Sequence, residues 1–469
     1  LNYRYKDLPV GKIAMFEIIL EFKKNNLKLS NFEFYKLKNN LENCINSIWA
    51  FEKISKDFSP DVVITYNGSY AVNNLFLKFF KQKNAAPYLI TGSTNNYERF
   101  SNIHLFKESY FDTIFEIKKN WLKLKNYPFN KSEAISVINH MKTLFFSSTS
   151  HTFSHSIKDN YVDVREYFKI KKNQKIILVS MSSYDEVLSA YLLYTKKSLG
   201  GIFDDQVEWI KKIIKNFKNK NDCFVIFRPH PREFLKTNNN YYLRKLKKIF
   251  SKLPSNMCVN YPKDKISIHN LGMETSLLLN AWSSAGEDLG MLGIPTISIS
   301  KSFMNYPSDI DYYENSKRKY FKKIFKILSG DNWSIERINL FYRFKSLMFH
   351  KSTIELKKFM PKNYYFMRFI KLIDKISLFF GLPSIIKFGL YNFKHINNDK
   401  ELKNFIFTIQ RKLHSPITIK INSVKKNTYR NENSKNIKFV INEIKNLLFL
   451  STESRKTSLY KKFTNSLDK

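Results

Sequence analysis

The sequence predicts an α/β protein, two doubly wound halves facing a cleft and followed by a mostly helical tail. Three observations carry this. Short β-branched or apolar runs bounded by turn residues recur from about residue 61 to residue 300, as buried parallel strands do. Segments with helical apolar spacing lie between them, so strand and helix alternate. Beyond about residue 330 the strand-like runs stop, and a helical pattern punctuated by Pro361, Pro383 and Pro416 takes over. With 469 residues, 43% of them hydrophobic and 16% aromatic, the chain has material for more than one core, which excludes global disorder.

Taken in order, residues 8–22 read as a turn and an amphipathic helix. Asp61-Val-Val-Ile-Thr is the first strand, Tyr66-Asn-Gly-Ser-Tyr the turn after it, 72–81 a helix, and Ala86-Pro-Tyr-Leu-Ile the next strand, which together make a βαβ unit. A polar, Lys-rich stretch at 169–174 opens the second half. There Lys175-Ile-Ile-Leu-Val-Ser, Cys223-Phe-Val-Ile-Phe, Met257-Cys-Val, Leu277-Leu-Leu and Thr296-Ile-Ser-Ile read as strands. Helical spacing falls at Val207, Trp209, Ile210, Ile213 and Ile214, at 242–250 and at 286–292. The resulting division is 1–165 and 166–330, both Rossmann-like, and 331–469, a basic helical tail. Because residue 1 is Leu rather than Met, a first strand of the N-terminal half is expected to precede it.

Lys and Arg number 79 against 40 Asp and Glu, a net charge of +39. The surplus is mostly Lys in pairs such as Lys211-Lys212 and Lys322-Lys323, set among Asn, Ile and Phe, as an AT-rich genome would write it. Without an RNP-like motif, zinc-ligand pairs or an Arg-rich arm, no nucleic-acid partner is expected. A general attraction to anions remains: a nucleotide, an acidic glycan or an anionic membrane surface. The basic, aromatic stretch 366–393 would suit such a surface, the inner face of the plasma membrane. No apolar run reaches the ~18 residues of a spanning helix. Cys44, Cys223 and Cys258 are too few and scattered for a disulfide framework or a zinc cluster, so a cytoplasmic location and no metal are expected.

The sharpest chemical feature is Phe227-Arg-Pro-His-Pro-Arg-Glu, directly after a strand. Pro229 and Pro231 stiffen the loop, so His230 projects from a carboxyl strand end, where open α/β sheets bind ligands. Arg228, His230 and Arg232 offer donors suited to a phosphate. One βα unit later, Ser283 and Ser284 precede Gly286 at a helix start, where free N–H groups would attract an anion, and Glu287 could accept from sugar hydroxyls. Ser182 and Ser183, after the first strand of this half, could wrap a phosphate, with Asp185 or Glu186 as acid/base groups. In the first half Asn67, Gly68, Gly92 and Ser93 end strands and should face the same cleft, but no G-x-G-x-x-G dinucleotide motif is present. Glu98 is the best-placed general base. His151 and His155 have helical metal-ligand spacing but no third partner, and read as part of a capped loop.

The Arg-Pro-His-Pro-Arg-Glu loop, followed by Trp282-Ser-Ser-Ala-Gly-Glu-Asp-Leu-Gly-Met-Leu-Gly-Ile-Pro, resembles bacterial GT-B glycosyltransferases of capsule and lipopolysaccharide assembly, in particular the sialyltransferase/Kdo-transferase-like group. The resemblance lies mainly in residues 170–300. It implies a GT-B fold, with an N-terminal acceptor half and a C-terminal half that binds a nucleotide-sugar donor. His230 would bind the donor phosphate and assist the leaving group, Ser283 and Ser284 would hold the phosphate, and Glu287 would sit near the nucleotide sugar. The acceptor would be a growing glycan or a lipid-linked sugar, and no cofactor or metal is implied. The first half lacks the acidic Asp/Glu-Asp/Glu-Gly triplet of sialyltransferases, so a CMP-sugar and a nucleoside-diphosphate sugar are both compatible. A CDP-glycerol-type polyol-phosphate transferase and a non-catalytic polyanion-binding protein stand as alternatives.

Overall fold

The computed structural model describes residues 1–109, 111–146, 154–157, 161–194, 201–234, 241–301, 304–356, 372–373, 400–418, 430–452 and 457–467. Among them are strands β1 (Val62–Tyr66), β2 (Ala86–Gly92), β3 (Asn102–Phe106), β4 (Lys175–Ser180), β5 (Cys223–Arg228), β6 (Met257–Val259), β7 (Thr275–Asn280), β8 (Thr296–Ser298), β9 (Tyr312–Tyr313) and β10 (Thr353–Glu355). They form two sheets, one in each α/β half, in the two-half architecture the sequence predicts.

The second sheet is all parallel, in the order β6-β5-β4-β7-β8-β9. Counted within the unit this is the 3-2-1-4-5-6 order of a doubly wound sheet, whose strand order reverses between its first and fourth strands, here β4 and β7. Alternation along the strands splits the core between two faces. Ile176, Leu178, Phe224, Ile226 and Leu278 pack on one side, and Ile177, Val179, Val225, Phe227, Leu277 and Leu279 on the other. All six residues of β5 are buried, which explains why these strands read as continuous apolar runs.

The first sheet is mixed, in the order β1-β2-β3-β10. β1 and β2 are parallel, joined by the helix Ala71–Gln82 as expected; β3 returns antiparallel to β2. The edge strand β10 comes from beyond the whole second half and pairs antiparallel with β3. Apart from β10 and short turns, the tail is helical where described, and it is tied to both halves. Lys400–Gln410 lies against the first sheet, where the Tyr88 hydroxyl donates to the carbonyls of Thr408 and Leu413. Arg430–Ser451 packs on the helix Lys131–Phe146, burying Val440, Ile441, Ile444, Leu447 and Leu448. Among the described residues, no helix is long and apolar enough to cross a membrane.

Two elements differ from expectation. Val10–Glu21 is a helix, but not an amphipathic one: Val10, Ile13 and Ala14 enter the core of the first half while Met15, Ile18 and Ile19 enter that of the second. A helix apolar all round is one buried on both sides. The 27-residue helix Asn31–Asp57 escapes the strand-and-helix reading above, although its start is marked by the capping box of Ser30 and Glu33.

Candidate functional site

β4, β5 and β7 end in register at Ser180, Arg228 and Asn280. The loops that follow therefore leave one sheet edge at the point where strand order reverses, where the crevice of a doubly wound sheet forms. A cavity of about 300 Å³ opens there. The second half supplies Ser180, Met181, Arg228, His230, His269, Ser283, Ser284, Glu287 and Asp288. The first half supplies Thr94, Asn96, Arg99 and His140, and Lys345 enters from the connection to β10.

Three histidines line this cavity, and each has its Nδ1 engaged by the protein. The Arg232 N–H donates to Nδ1 of His230 at 3.4 Å, and the Asn96 N–H donates to Nδ1 of His140 at 2.9 Å. Both rings thus carry their proton on Nε2. His269 Nδ1 lies 3.3 Å from the Ser267 hydroxyl, which lies 3.4 Å from the Ser154 hydroxyl, itself an acceptor of the Ile268 N–H at 2.9 Å. Every hydroxyl hydrogen in this chain is used when Ser154 donates to Ser267 and the Ser267 hydroxyl donates to Nδ1, which again leaves Nε2–H. That Nε2 is buried and has no hydrogen-bond partner among the described residues. Burial pushes His230 down to about 4, against the pull of Asp185, and His269 down to about 3. Burial, with Lys345 nearby, puts His140 well below the usual histidine range. At neutral pH all three are uncharged N–H donors.

Three kinds of ionisable group surround them: a buried cation, an ion pair and a raised carboxyl. Arg228 is buried and donates to the Asn260 side chain and, at 2.9 Å, to the Ile266 carbonyl. Burial lowers it to about 10, which leaves it a cation at neutral pH. Glu287 and Lys345 form a buried ion pair. Beside them Asp288 is pushed up to about 7 by burial, partly offset by Lys345. The sequence reading singled out neither Asp288, Lys345, His140, His269 nor Arg99.

Other residues expected at the site fall elsewhere. Arg232 turns from the cavity to pair with Asp185 at 2.9 Å and with Glu186. Ser182 is buried, its N–H donating to Gln206 at 3.0 Å and its hydroxyl accepting from the Trp282 N–H at 3.2 Å; Ser183 is buried against Asp185. Ser283 and Ser284 line the cavity, but the helix Ala285–Gly290 after them offers few free amides. Ala285 N–H donates to the Ser283 hydroxyl, Gly286 N–H to the Ser283 carbonyl, and the Glu287 and Asp288 N–H groups to the Ser284 carbonyl. Gly286 does not line the cavity. A Cβ there would meet Asn280 Nδ2 at 2.6 Å and the Tyr306 hydroxyl at 2.9 Å, so protein packing already uses its small size.

Asn67, Gly68 and Gly92 gather around a second cavity of about 150 Å³, which has Arg99 in common with the first. Asn67 sits at φ +54°, in the left-handed region that asparagine tolerates. Ser93 is fully buried and caps the loop after β2, accepting from the Asn95 N–H at 3.0 Å. Glu98 lines neither cavity. Its carboxylate accepts from Asn95 at 3.1 Å, Asn102 at 3.2 Å and Ser136 at 3.1 Å, and so ties the loop together. His155 is exposed, while His151 and nearly all of 366–393 lie outside the described residues. Among the described residues, no three His, Cys, Asp or Glu side chains are grouped as metal ligands would be.

No protein-family model matches the chain, and no curated protein matches it. Several solved structures are loosely similar. The β-Kdo 2,4-transferase KpsC of Thermosulfurimonas dismutans aligns at 10% identity over 61% of this chain and 79% of its own, with a TM-score of 0.34. UDP-GlcNAc 2-epimerase of Neisseria meningitidis, bound to UDP-GlcNAc, aligns at 13% over 72% and 94%, with a TM-score of 0.35. The spinosyn rhamnosyltransferase SpnG, complexed with thymidine diphosphate, aligns at 8% over 73% and 80%, with a TM-score of 0.31. These likenesses are loose, and the two-half architecture stands on the strand order and register above.

Proposed function

We propose that the chain is a GT-B-type glycosyltransferase of surface polysaccharide assembly, moving a sugar from a nucleotide-activated donor to a glycan or lipid-linked acceptor. The observation that carries this is the cavity at the strand-order reversal, where His230 and His269 present N–H donors beside the Arg228 cation. A donor phosphate needs such donors, and needs them more as its oxygen takes up charge on departure. A neutral His230 serves as a hydrogen-bond donor to that oxygen rather than as a source of its proton. Asp288 lines the same cavity as His230, and a carboxyl group there with a raised pKa is suited to take the acceptor hydroxyl's proton, since a base works best with a pKa near the working pH. In the step, the acceptor oxygen bonds to the anomeric carbon. The carbon–oxygen bond to phosphate breaks with its electron pair on the leaving nucleotide, and the proton passes to Asp288.

The test is titration of wild type, His230→Ala and His269→Ala with CMP, CDP, UDP and GDP, followed by turnover of the sugar carried by the nucleotide that binds. Saturable binding of one nucleotide, weakened in both variants, is expected. Turnover of CDP-glycerol in place of any nucleotide sugar would make the enzyme a polyol-phosphate transferase. Binding that tracks only the number of charges, equally with RNA or DNA, would leave a polyanion binder.

A further inference from the structure

The donor reading leaves Arg99 unused. It lines both the larger cavity and the smaller one built by the first half, with Asn67, Ser69 and Thr91 beside it and Tyr66, 66% exposed, at the rim. Its guanidinium makes no hydrogen bond or ion pair among the described residues, unlike Arg228 and Arg232. The loop that carries it is tied down by hydrogen bonds. Ser93 N–H is shared between the carbonyls of Arg99 at 3.2 Å and Asn102 at 2.9 Å, and Glu98 gathers three further donors. Gly92 fits beneath this loop because a Cβ there would meet the Arg99 carbonyl at 2.9 Å. An arginine held in place at a cavity wall, with its fork unspent, is prepared for a planar oxyanion.

From this we infer that Arg99 and the small cavity form an acceptor subsite for a sugar bearing an anionic group, a carboxylate or a phosphate ester. The inference rests on the glycosyltransferase reading. A donor held at the edge of the second sheet must meet its acceptor from the opposite wall, and Arg99 belongs to that wall. At about 150 Å³ the small cavity has room for about five waters. It suits one polar ring rather than a nucleotide.

The experiment titrates wild type, Arg99→Gln and Arg99→Lys with trigalacturonate against maltotriose, and with glucose 6-phosphate against glucose. Wild type should prefer one anionic probe over its neutral partner by about tenfold or more. Whichever pair shows the preference identifies carboxylate or phosphate. Arg99→Gln should bring that ratio to within about twofold, with Arg99→Lys between. Net charge alone cannot mimic this, because the substitution removes one of 79 basic residues. No preference in wild type, or a preference that survives Arg99→Gln, overturns the inference. Arg99→Lys decides the matter if Arg99→Gln does not fold, as judged by its thermal transition. Nucleotide binding by the wild-type chain, measured alongside, tests the donor reading separately.

Discussion

Replacing His230 by alanine removes an N–H donor and leaves the surrounding scaffold. At pH 7, three units above the His230 value of about 4, roughly one ring in a thousand is protonated. The imidazole therefore acts as a neutral donor to a charged phosphate. Such a bond is worth about 1.5–3 kcal/mol, or about 10- to 150-fold in kcat/KM. Because the bond strengthens as charge gathers on the leaving oxygen, the loss should fall mainly on kcat. His230→Gln keeps an N–H and should retain turnover within about tenfold of wild type, with no new pH dependence. The fold should tolerate both changes: the Glu233 N–H still donates to the residue-230 carbonyl at 2.9 Å, and the Arg228 anchor is untouched. A melting shift of a few degrees at most is expected, since losing the ring leaves the Arg232 N–H without its Nδ1 acceptor, a cost of about 1–3 kcal/mol. The assay is nucleotide release from the activated sugar that the wild type consumes, followed from pH 5.5 to 8. Full turnover in His230→Ala would refute the reasoning. So would a wild-type rate limb near pH 6.5 that His230→Gln abolishes, since it would show the ring titrating in the working range.

Other residues give further tests. Asp288, raised to about 7, should make the rate climb with pH through about 7 and level off above, and Asp288→Asn should remove both the limb and most of the rate. Its folded value exceeds the ordinary 3.8, so the stability it lends is full below that value and lost as pH rises through about 7. Asp288→Asn should therefore unfold at higher denaturant than wild type at pH 8, by about 4 kcal/mol at most. Glu98→Gln should cost about 1–3 kcal/mol by loosening its three hydrogen bonds, visible in urea unfolding, with nucleotide affinity unchanged; a lost rate at full stability would restore Glu98 as a base. Gly286→Ala should destabilise by about 1–3 kcal/mol through its clash with Asn280 and Tyr306; an unchanged unfolding midpoint would contradict the packing described.

The second half was the legible part of the sequence, because its strands are buried on both faces and appear as unbroken apolar runs ending in proline or serine loops. β5 and the loop at His230 fell where the residues put them. β3 was not legible, since Asn102-Ile-His-Leu-Phe carries a polar residue on each side of its first apolar position. Nor was β10, three residues long. The serine loop after β4 misled for a different reason. The side-chain amide of Gln206, 24 residues away, meets both the N–H and the carbonyl of Ser182, and no local pattern shows that. The same distance hid half of the site. His140 and Lys345 reach the cavity from opposite sides of the second half in sequence, and only the packing of Lys131–Phe146 and Ile335–Ser346 brings them together. Asp288 was in view, but its chemistry comes from burial beside Lys345, which composition does not reveal.

The late arrival of β10 bears on how the protein is made. During synthesis, folding units normally close in order from the N-terminus. Here β1, β2 and β3 emerge early, but the partner for the free edge of β3 is not translated until the second half is complete. Until then β3 presents an open row of backbone donors and acceptors, the kind of edge on which nascent chains associate. A chain made only as far as residue 330 would hold every strand of the second sheet but lack the last strand of the first. Cutting the gene at that apparent boundary would leave the N-terminal fragment with the same exposed edge.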